Sequence, residues 1–327
     1  MSGREFKGRF QSAVAALMEE FVKEKQACGY RYGEKARILA CFDRFLCEQA
    51  LSQCQLPRAI TRKWLAKQSH ESAATHRCRI YAVRQFALYM CRRGYAADVP
   101  DRSLTAKQSA SFSPRIPTQT EVQQLLHAVD QLTPTARSPL RHLIMPEVFR
   151  LLYGCGFRVD EILHLRVADV DLHHGILTVR EGKFGKDRLV PPALPLVQRL
   201  QKYADSMGDR PADAYFFPSP SGGPWSLEAV YRLYRQLLLQ CNIPHAGRGK
   251  GPRVHDLRHA FACHALLRWC REGVDLNAKL PVLSTYMGHR SLAGTQRYLH
   301  LIAELHPEIT VRANAAFGDV IPRRIDS

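Results

Sequence analysis

The sequence predicts a mainly helical protein with one small β-sheet, an α+β arrangement divided into two domains. Three observations carry that expectation. Apolar residues recur at helical spacing over most of the 327 residues. One short stretch, 175–191, alternates and turns like a β-hairpin. A Ser-, Pro- and Thr-rich run without periodicity, VPDRSLTAKQSASFSPRIPT, separates two structured regions. At roughly 100–200 residues per domain, the length also suggests two. The expected boundaries are a helical domain over 1–105, a linker over 106–117 and a second domain over 118–327.

In the first region Val14, Leu17, Met18, Phe21 and Val22 mark one apolar helix face, and Ile38, Leu39, Phe42, Phe45 and Leu46 mark a second. Trp64 and Leu65 lie in a short third helix after Pro57. A fourth, from about Ala73 to Arg93, sets Ile80, Val83, Phe86, Ala87, Met90 and Cys91 on one side, with Gly94 as its stop. Its other side carries Arg77, Arg79, Arg84, Arg92 and Arg93. Such a stripe is either the solvated face of a bundle helix or a face that tracks a nucleic-acid backbone, and both readings stay open.

The second region begins with an N-cap signature, Thr118 followed by Glu121. Helices are expected over Pro139–Tyr153 and Asp160–Leu165, broken at Gly154-Cys155-Gly156. The strand GILTV (175–179), the polar turn EGKFGKD (181–187) and the strand RLVP (188–191) read as a hairpin. Helices resume over Leu196–Tyr203, Ser226–Gln240 and Asp256–Arg271, with a final set from Ser291. There is no internal repeat.

The charge narrows the function. The 47 Lys and Arg against 30 Asp and Glu give +17, a field that favours an anionic partner: nucleic acid first, acidic lipid second. Residues 1–110 hold 20 basic and 10 acidic side chains and the rest hold 27 and 20, so both regions are basic, as expected if both touch one long polyanion. A composition that is 46% hydrophobic and 24% charged excludes wholesale disorder. No apolar run approaches the roughly 18–20 residues of a membrane span, and the N-terminal stretch lacks a small-residue cleavage site. A soluble, cytoplasmic protein is expected. The ten cysteines form no C-x-x-C pair; reduced thiols without disulfides are expected.

Four constellations carry chemistry. Arg158 and Glu161 are i, i+3 neighbours at a helix start, able to pair. The hairpin turn presents Lys183 and Lys186, flanked by Arg180 and Arg188. In Val254-His255-Asp256-Leu257-Arg258-His259, His255 and Arg258 share a helix start. His255 and His259 have the spacing of two metal ligands, but no Glu follows the first His and no orderly third ligand comes after; a packed or hydrogen-bonded His259 is the better reading. Finally Gly288-His289-Arg290-Ser291 precedes a helix carrying Tyr298. Each alone is ordinary: a salt bridge, a solvated turn, a core histidine, a core tyrosine. Together they suit one phosphodiester. Guanidinium matches phosphate bidentately, histidines move protons, and a lysine protonates a leaving alkoxide. A tyrosine of pKa about 10 is a nucleophile that needs such neighbours.

These residues in this order resemble the tyrosine recombinase (phage-integrase) family. LLYGCGFRVDEILHLRVADVDL resembles its first-arginine box, EGKFGKDRLVP its β-hairpin lysine box, HDLRHAFACHAL its H-x-x-R box, and GHRSLAGTQRYLHL its terminal box. The likeness is strong over about 118–305. It is looser before that, where THRCRIYAVRQFALYMCRRG is similar to the last helix of the family's core-binding domain.

The resemblance implies a helical, SAM-like core-binding domain followed by a catalytic domain. It implies that Tyr298 attacks the scissile phosphate to give a 3′-phosphotyrosyl DNA and a free 5′-hydroxyl. Arg158 and Arg258 then clamp the non-bridging oxygens, Lys183 is the general acid, and His255 is base or acid toward the tyrosine. His289 donates to the phosphate, and Glu161 supports the site. Double-stranded DNA is the implied partner. Contacts are expected from the helix arginines and Lys186, which is also a minor alternative to Lys183. No ATP, metal or other cofactor and no membrane are implied. The implied assembly is a tetramer on paired sites, homomeric or with related recombinases, in a bacterial cytoplasm, and the implied role is recombination or integration for a mobile element. The 271–286 stretch is longer than the family pattern. Competing expectations are a non-cutting DNA-binding homologue, a type IB-like topoisomerase and, remotely, a metal hydrolase built on His255 and His259.

Overall fold

The computed structural model of the chain describes residues 10–30, 32–104, 114–180, 187–245, 247, 251–289 and 291–305. The chain divides into two compact units, Met1–Phe112 and Ser113–Ser327. Most of the 106–117 stretch lies outside the described residues.

The first unit is built from α1 (Ala15–Ala27), α2 (Gly33–Glu48), α3 (Arg58–Leu65) and α4 (Ala73–Arg92). Its core is the set of apolar stripes legible in the sequence: Leu17, Met18, Phe21 and Val22 of α1, Leu39, Phe42 and Leu46 of α2, and Ile80, Val83, Phe86 and Met90 of α4. Phe21 sits between Phe86 and Tyr89, with ring centroids 5.7 and 5.3 Å away. The buried Asp43 carboxylate accepts the N–H groups of Gln11 and Ser12 at 2.7 and 3.0 Å, satisfying donors ahead of α1. Ser72 caps α4 by accepting from the Thr75 N–H. Gly94, at φ 85°, closes it in the left-handed conformation that glycine adopts without strain.

The uniform arginine face expected on α4 does not form. Arg79 turns inward: it is 9% exposed, pairs with Glu71 at 2.8 Å, donates to the Trp64 carbonyl and lies 4.2 Å from the Trp64 ring centre. The stripe drawn on the sequence ignores that α3 packs beside this part of α4. Arg79 is therefore a structural residue, not an exposed nucleic-acid contact. Arg84 donates to the Pro100 carbonyl, Arg92 to Glu24 at 2.7 Å and Arg93 to Glu20 at 3.1 Å. Arg77 is half-buried.

The second unit opens with α5 (Gln119–Asp130), whose capping box is complete. The Glu121 N–H donates to Thr118 Oγ1 at 3.1 Å, and the Thr118 N–H donates back to the Glu121 carboxylate at 2.9 Å. Then follow α6 (Arg141–Gly154), α7 (Val159–Leu163), the strands β1 (Val170–Asp171), β2 (Ile176–Val179) and β3 (Arg188–Val190), α8 (Leu194–Met207) and α9 (Leu227–Gln240). The sheet is antiparallel in the order β1-β2-β3, with Val179 opposite Arg188 and Leu177 opposite both Val190 and Val170. The hairpin is as expected, and β1 adds a strand the sequence pattern is too short to show. Residues 181–186, including Lys183 and Lys186, lie outside the described residues.

The unit ends with α10 (Asp256–Arg271), α11 (Leu276–Met287) and α12 (Ala293–Leu305). The long 271–286 stretch is thus largely a helix, with Pro281 inside it, capped by Asp275 accepting from the Asn277 N–H at 2.8 Å. Leu280, Leu283 and Met287 of α11, Ala262, Cys263 and Leu266 of α10, and Tyr298, Leu301 and Ile302 of α12 form their own apolar cluster. That cluster fixes α12, and with it Tyr298, against α10. No disulfide joins the described cysteines, and no described helix is long and apolar enough to cross a membrane.

Candidate active site

Arg158 stands at the N-cap position of α7, at the end of the turn that breaks away from α6. Its guanidinium donates to Glu161 Oε1 at 2.6 Å and to the Gly288 carbonyl at 3.0 Å, and its backbone N–H donates to Glu161 Oε2 at 2.9 Å. Arg188, at the start of β3, meets both oxygens of the same carboxylate at 2.9 and 2.7 Å and donates to the Tyr286 carbonyl at 3.0 Å. Burial alone would raise the Glu161 carboxyl; bonding to Arg188 and Arg158 overrides it and holds it at about 2. Glu161 is thus a permanent anion that ties the hairpin strand to Arg158.

Arg258, in the first turn of α10, is 1% exposed. Among the described residues no carboxylate pairs with it. It donates to the Gly156 carbonyl and, at 2.6 Å, to that of Met287, the last residue of α11. A helix C-terminus offers unsatisfied carbonyls and a partial negative charge, which makes it a fitting support for a buried cation. Gly156 has φ 61°, and a Cβ there would overlap the Phe261 ring. Burial and the nearby Arg158 charge push Arg258 down to about 9, so it stays protonated at neutral pH.

The three histidines and the tyrosine surround these cations. Tyr298 is 4% exposed, and its hydroxyl lies 2.9 Å from His259 Nδ1. His289 follows the left-handed Gly288 at the end of α11. Its Nδ1 meets Thr295 Oγ1 at 2.7 Å, and its ring lies nearly parallel to that of Tyr298 with centroids 6.0 Å apart. His255 sets its ring perpendicular to that of His259 at 4.7 Å. Burial first, then surrounding positive charge, lowers His255 to about 3 and His259 and His289 to about 4, so all three are neutral at pH 7. Burial raises Tyr298, with Arg258 opposing.

Arg158, His255, Arg258, His259, His289 and Tyr298 line one cavity of about 300 Å³, completed by Pro114, Ser291, Gly294, Arg297 and Leu301. Three guanidiniums around one carboxylate leave positive charge in a sheltered concavity, the electrostatic signature of an anion site. Five sequence-marked residues, drawn from boxes up to 140 positions apart, therefore converge, with Glu161 beside them as support. Three contributors lay outside the sequence assignment. Arg188 was visible only as a flank of the hairpin turn, although its place opposite Val179 on β3 marks it as part of the sheet. Thr295, fully buried, orients His289, and no local pattern points to it. His259 sets its Nδ1 against the Tyr298 hydroxyl; among the described residues no group of three or more His, Cys, Asp or Glu could hold a metal ion.

The signature of the Phage integrase family matches residues 116–304. The Sinorhizobium fredii protein y4rB, whose name places it with integrases and recombinases, is 30% identical over 94% of this chain and 99% of its own length. Tyrosine recombinase XerD of Pseudomonas aeruginosa is 31% identical over 73% of this chain and 74% of its own. Among solved structures, the fold is shared with XerH recombinase bound to difH (TM-score 0.61, 18% identity, 92% of this chain and 83% of that one). It is also shared with the Tn1549 transposon integrase in complex with a circular-intermediate DNA (TM-score 0.63, 16% identity, 86% and 94%). With the cavity, its cations and its buried tyrosine already assembled, the chain belongs to the phage integrase family and is a site-specific recombinase of the tyrosine type.

Proposed function

We propose that this recombinase cuts and rejoins double-stranded DNA with Tyr298 as its nucleophile and serves a mobile element. One observation carries the assignment: Tyr298 lines the cavity in which, among the described residues, Arg158 and Arg258 have Glu161, itself shared with Arg188, as the carboxylate that balances them. A phosphodiester supplies the missing charge. As Tyr298 Oη bonds to phosphorus, the P–O5′ bond breaks, leaving a 3′-phosphotyrosyl DNA and a 5′-hydroxyl. The arginines hold the non-bridging oxygens, where charge builds in the transition state. Lys183 protonates the leaving 5′-oxygen, with Lys186 on the same turn approaching the DNA. His289, held by Thr295 through Nδ1, donates to the phosphate through its other nitrogen, and His255 serves proton transfer beside it. Because the phosphotyrosyl bond conserves the backbone ester, rejoining to another 5′-hydroxyl needs no nucleotide energy and no metal or other cofactor.

In this reading the first unit, residues 1–105 in the main, grips DNA through Arg77, Arg84, Arg92 and Arg93. The protein works as a tetramer on paired sites, homomeric or with a related recombinase, and is associated with DNA in a bacterial cytoplasm. The test is covalent trapping in EDTA on nicked duplexes made from the DNA flanking its own gene. The wild type is expected to give a slower-migrating adduct on a denaturing gel, and Tyr298→Phe none. Tight binding to that DNA without any adduct would replace the assignment with a DNA-binding role.

A further inference from the structure

The partner of the Tyr298 hydroxyl is a histidine outside the family-like set of site residues. We infer that His259 Nδ1 is the group that takes the Tyr298 proton when the tyrosine attacks phosphorus. The inference rests on Tyr298 being the nucleophile and adds the route by which its proton leaves.

Geometry carries the assignment. Of the three cavity histidines, His259 has a ring nitrogen 2.9 Å from Tyr298 Oη. His289 commits its Nδ1 to Thr295, and His255 turns its ring toward His259. The contact is held by secondary structure on both sides, since His259 lies in α10 and Tyr298 in α12, helices joined through the same buried apolar cluster. A phenol is a far stronger hydrogen-bond acid than a neutral imidazole N–H, and a bare imidazole nitrogen is the stronger acceptor. The hydroxyl therefore donates to Nδ1, and the remaining imidazole proton sits on Nε2.

During attack the O–H bond breaks as the Oη–P bond forms, and the proton passes to Nδ1 to give an imidazolium. The electrons of the P–O5′ bond leave with the 5′-oxygen, which takes its own proton from the general acid. On rejoining, the 5′-hydroxyl gives its proton back to the conjugate base of the general acid as its oxygen bonds to phosphorus, and the imidazolium returns its proton to the departing Tyr298 oxygen. The charged groups facing His259 are Arg253 ahead of α10, His255 and Arg258 on it, His289 after α11, and Arg297 on α12. Burial and the arginine charges hold the imidazole neutral, and burial holds the phenol protonated. An arriving phosphodiester reverses the field around both groups: its negative charge favours the imidazolium, and the proton can move only when substrate is in place.

The test is single-turnover cleavage of the nicked duplex by the full chain and by His259→Asn, His259→Phe and Tyr298→Phe, with DNA affinity and melting temperature recorded for each. Asn retains an acceptor near the Nδ1 position but cannot carry the proton. Both His259 variants are expected to cleave at least 100-fold more slowly at unchanged affinity. The wild-type rate is expected to fall as pH drops and His259 protonates, and the His259 variants should lack that acid limb. Cleavage by His259→Asn within threefold of wild type, with the same pH profile, would overturn the inference. Retention of adduct by Tyr298→Phe would instead overturn the nucleophile beneath it. A measurement that needs no His259 variant guards against misfolding. In ¹⁵N-histidine spectra of the full chain, Tyr298→Phe should shift the His259 Nδ1 resonance away from that of a hydrogen-bonded acceptor, and an unmoved resonance also overturns the inference.

Discussion

Arginines are used in opposite ways in the two units of this molecule. In the first unit three arginines have carboxylate partners: Arg79 pairs with Glu71, Arg92 with Glu24 and Arg93 with Glu20. Around the cavity Arg158 and Arg188 share Glu161, while Arg258 is buried on carbonyls alone. A buried cation without a carboxylate is costly unless other groups or a ligand compensate it. The buried Arg79–Glu71 pair stabilises a helix bundle. In the proposed function the cavity arginines, with one carboxylate among them, store an attraction for phosphate. Counting arginines on a helix face therefore says little about nucleic acid, and counting the carboxylates available to them says much more.

Substitutions sharpen the contrast. The largest effect is expected at Arg258→Lys. An ammonium cannot bond the Gly156 and Met287 carbonyls and also present a planar fork to phosphate, so the adduct-forming rate should fall by roughly 10²–10³ with DNA affinity little changed. Equal loss of affinity and rate would show a binding contact and no transition-state role. Next in size is Arg79→Ala, which leaves the Glu71 carboxylate, 4% exposed, without its partner. Stability of the first unit should drop by about 3 kcal/mol in denaturant unfolding, while the cleavage rate of the folded protein at saturating DNA stays at the wild-type value. A folded, undestabilised variant that binds DNA poorly would return Arg79 to the nucleic-acid face. The smallest effect belongs to the Arg92→Ala, Arg93→Ala pair. Their ion pairs are solvent-exposed, so stability should change by less than about 1 kcal/mol. If both reach phosphates, the slope of log affinity against log salt should flatten by about 2. An unchanged slope would make their partners Glu24 and Glu20 their whole purpose.

How much of this was legible depends on the range of the interaction. The Arg158–Glu161 pair is separated by three residues and follows from a helix start, so the sequence displays it. The Thr118–Glu121 capping box is local in the same way, and both are present at hydrogen-bond distance. Helix α11 was obscured because Pro281 interrupts its pattern and its apolar side is defined only by α10 and α12. Arg79 departs from the open face that its position on a helical wheel suggests, because the wheel shows the direction of a side chain but not the neighbour waiting there. The reach of Arg188 to Glu161 spans 27 positions and that of His259 to Tyr298 spans 39; no periodicity encodes either.

The sequence by itself determined the helical class, the hairpin and the excess of positive charge, because helix and strand periods, caps and residue chemistry are local properties; the ordered set Arg158, Lys183, His255, Arg258, His289 and Tyr298 came from its resemblance to a family. The tertiary structure alone decided which charges are compensated and which are left for a ligand. It seated Arg258 on the end of α11, joined β3 to Arg158 through Glu161, and gave the tyrosine hydroxyl to His259. Those outcomes depend on which helix faces meet, and burying the shared apolar cluster of α10, α11 and α12 is what brings them together.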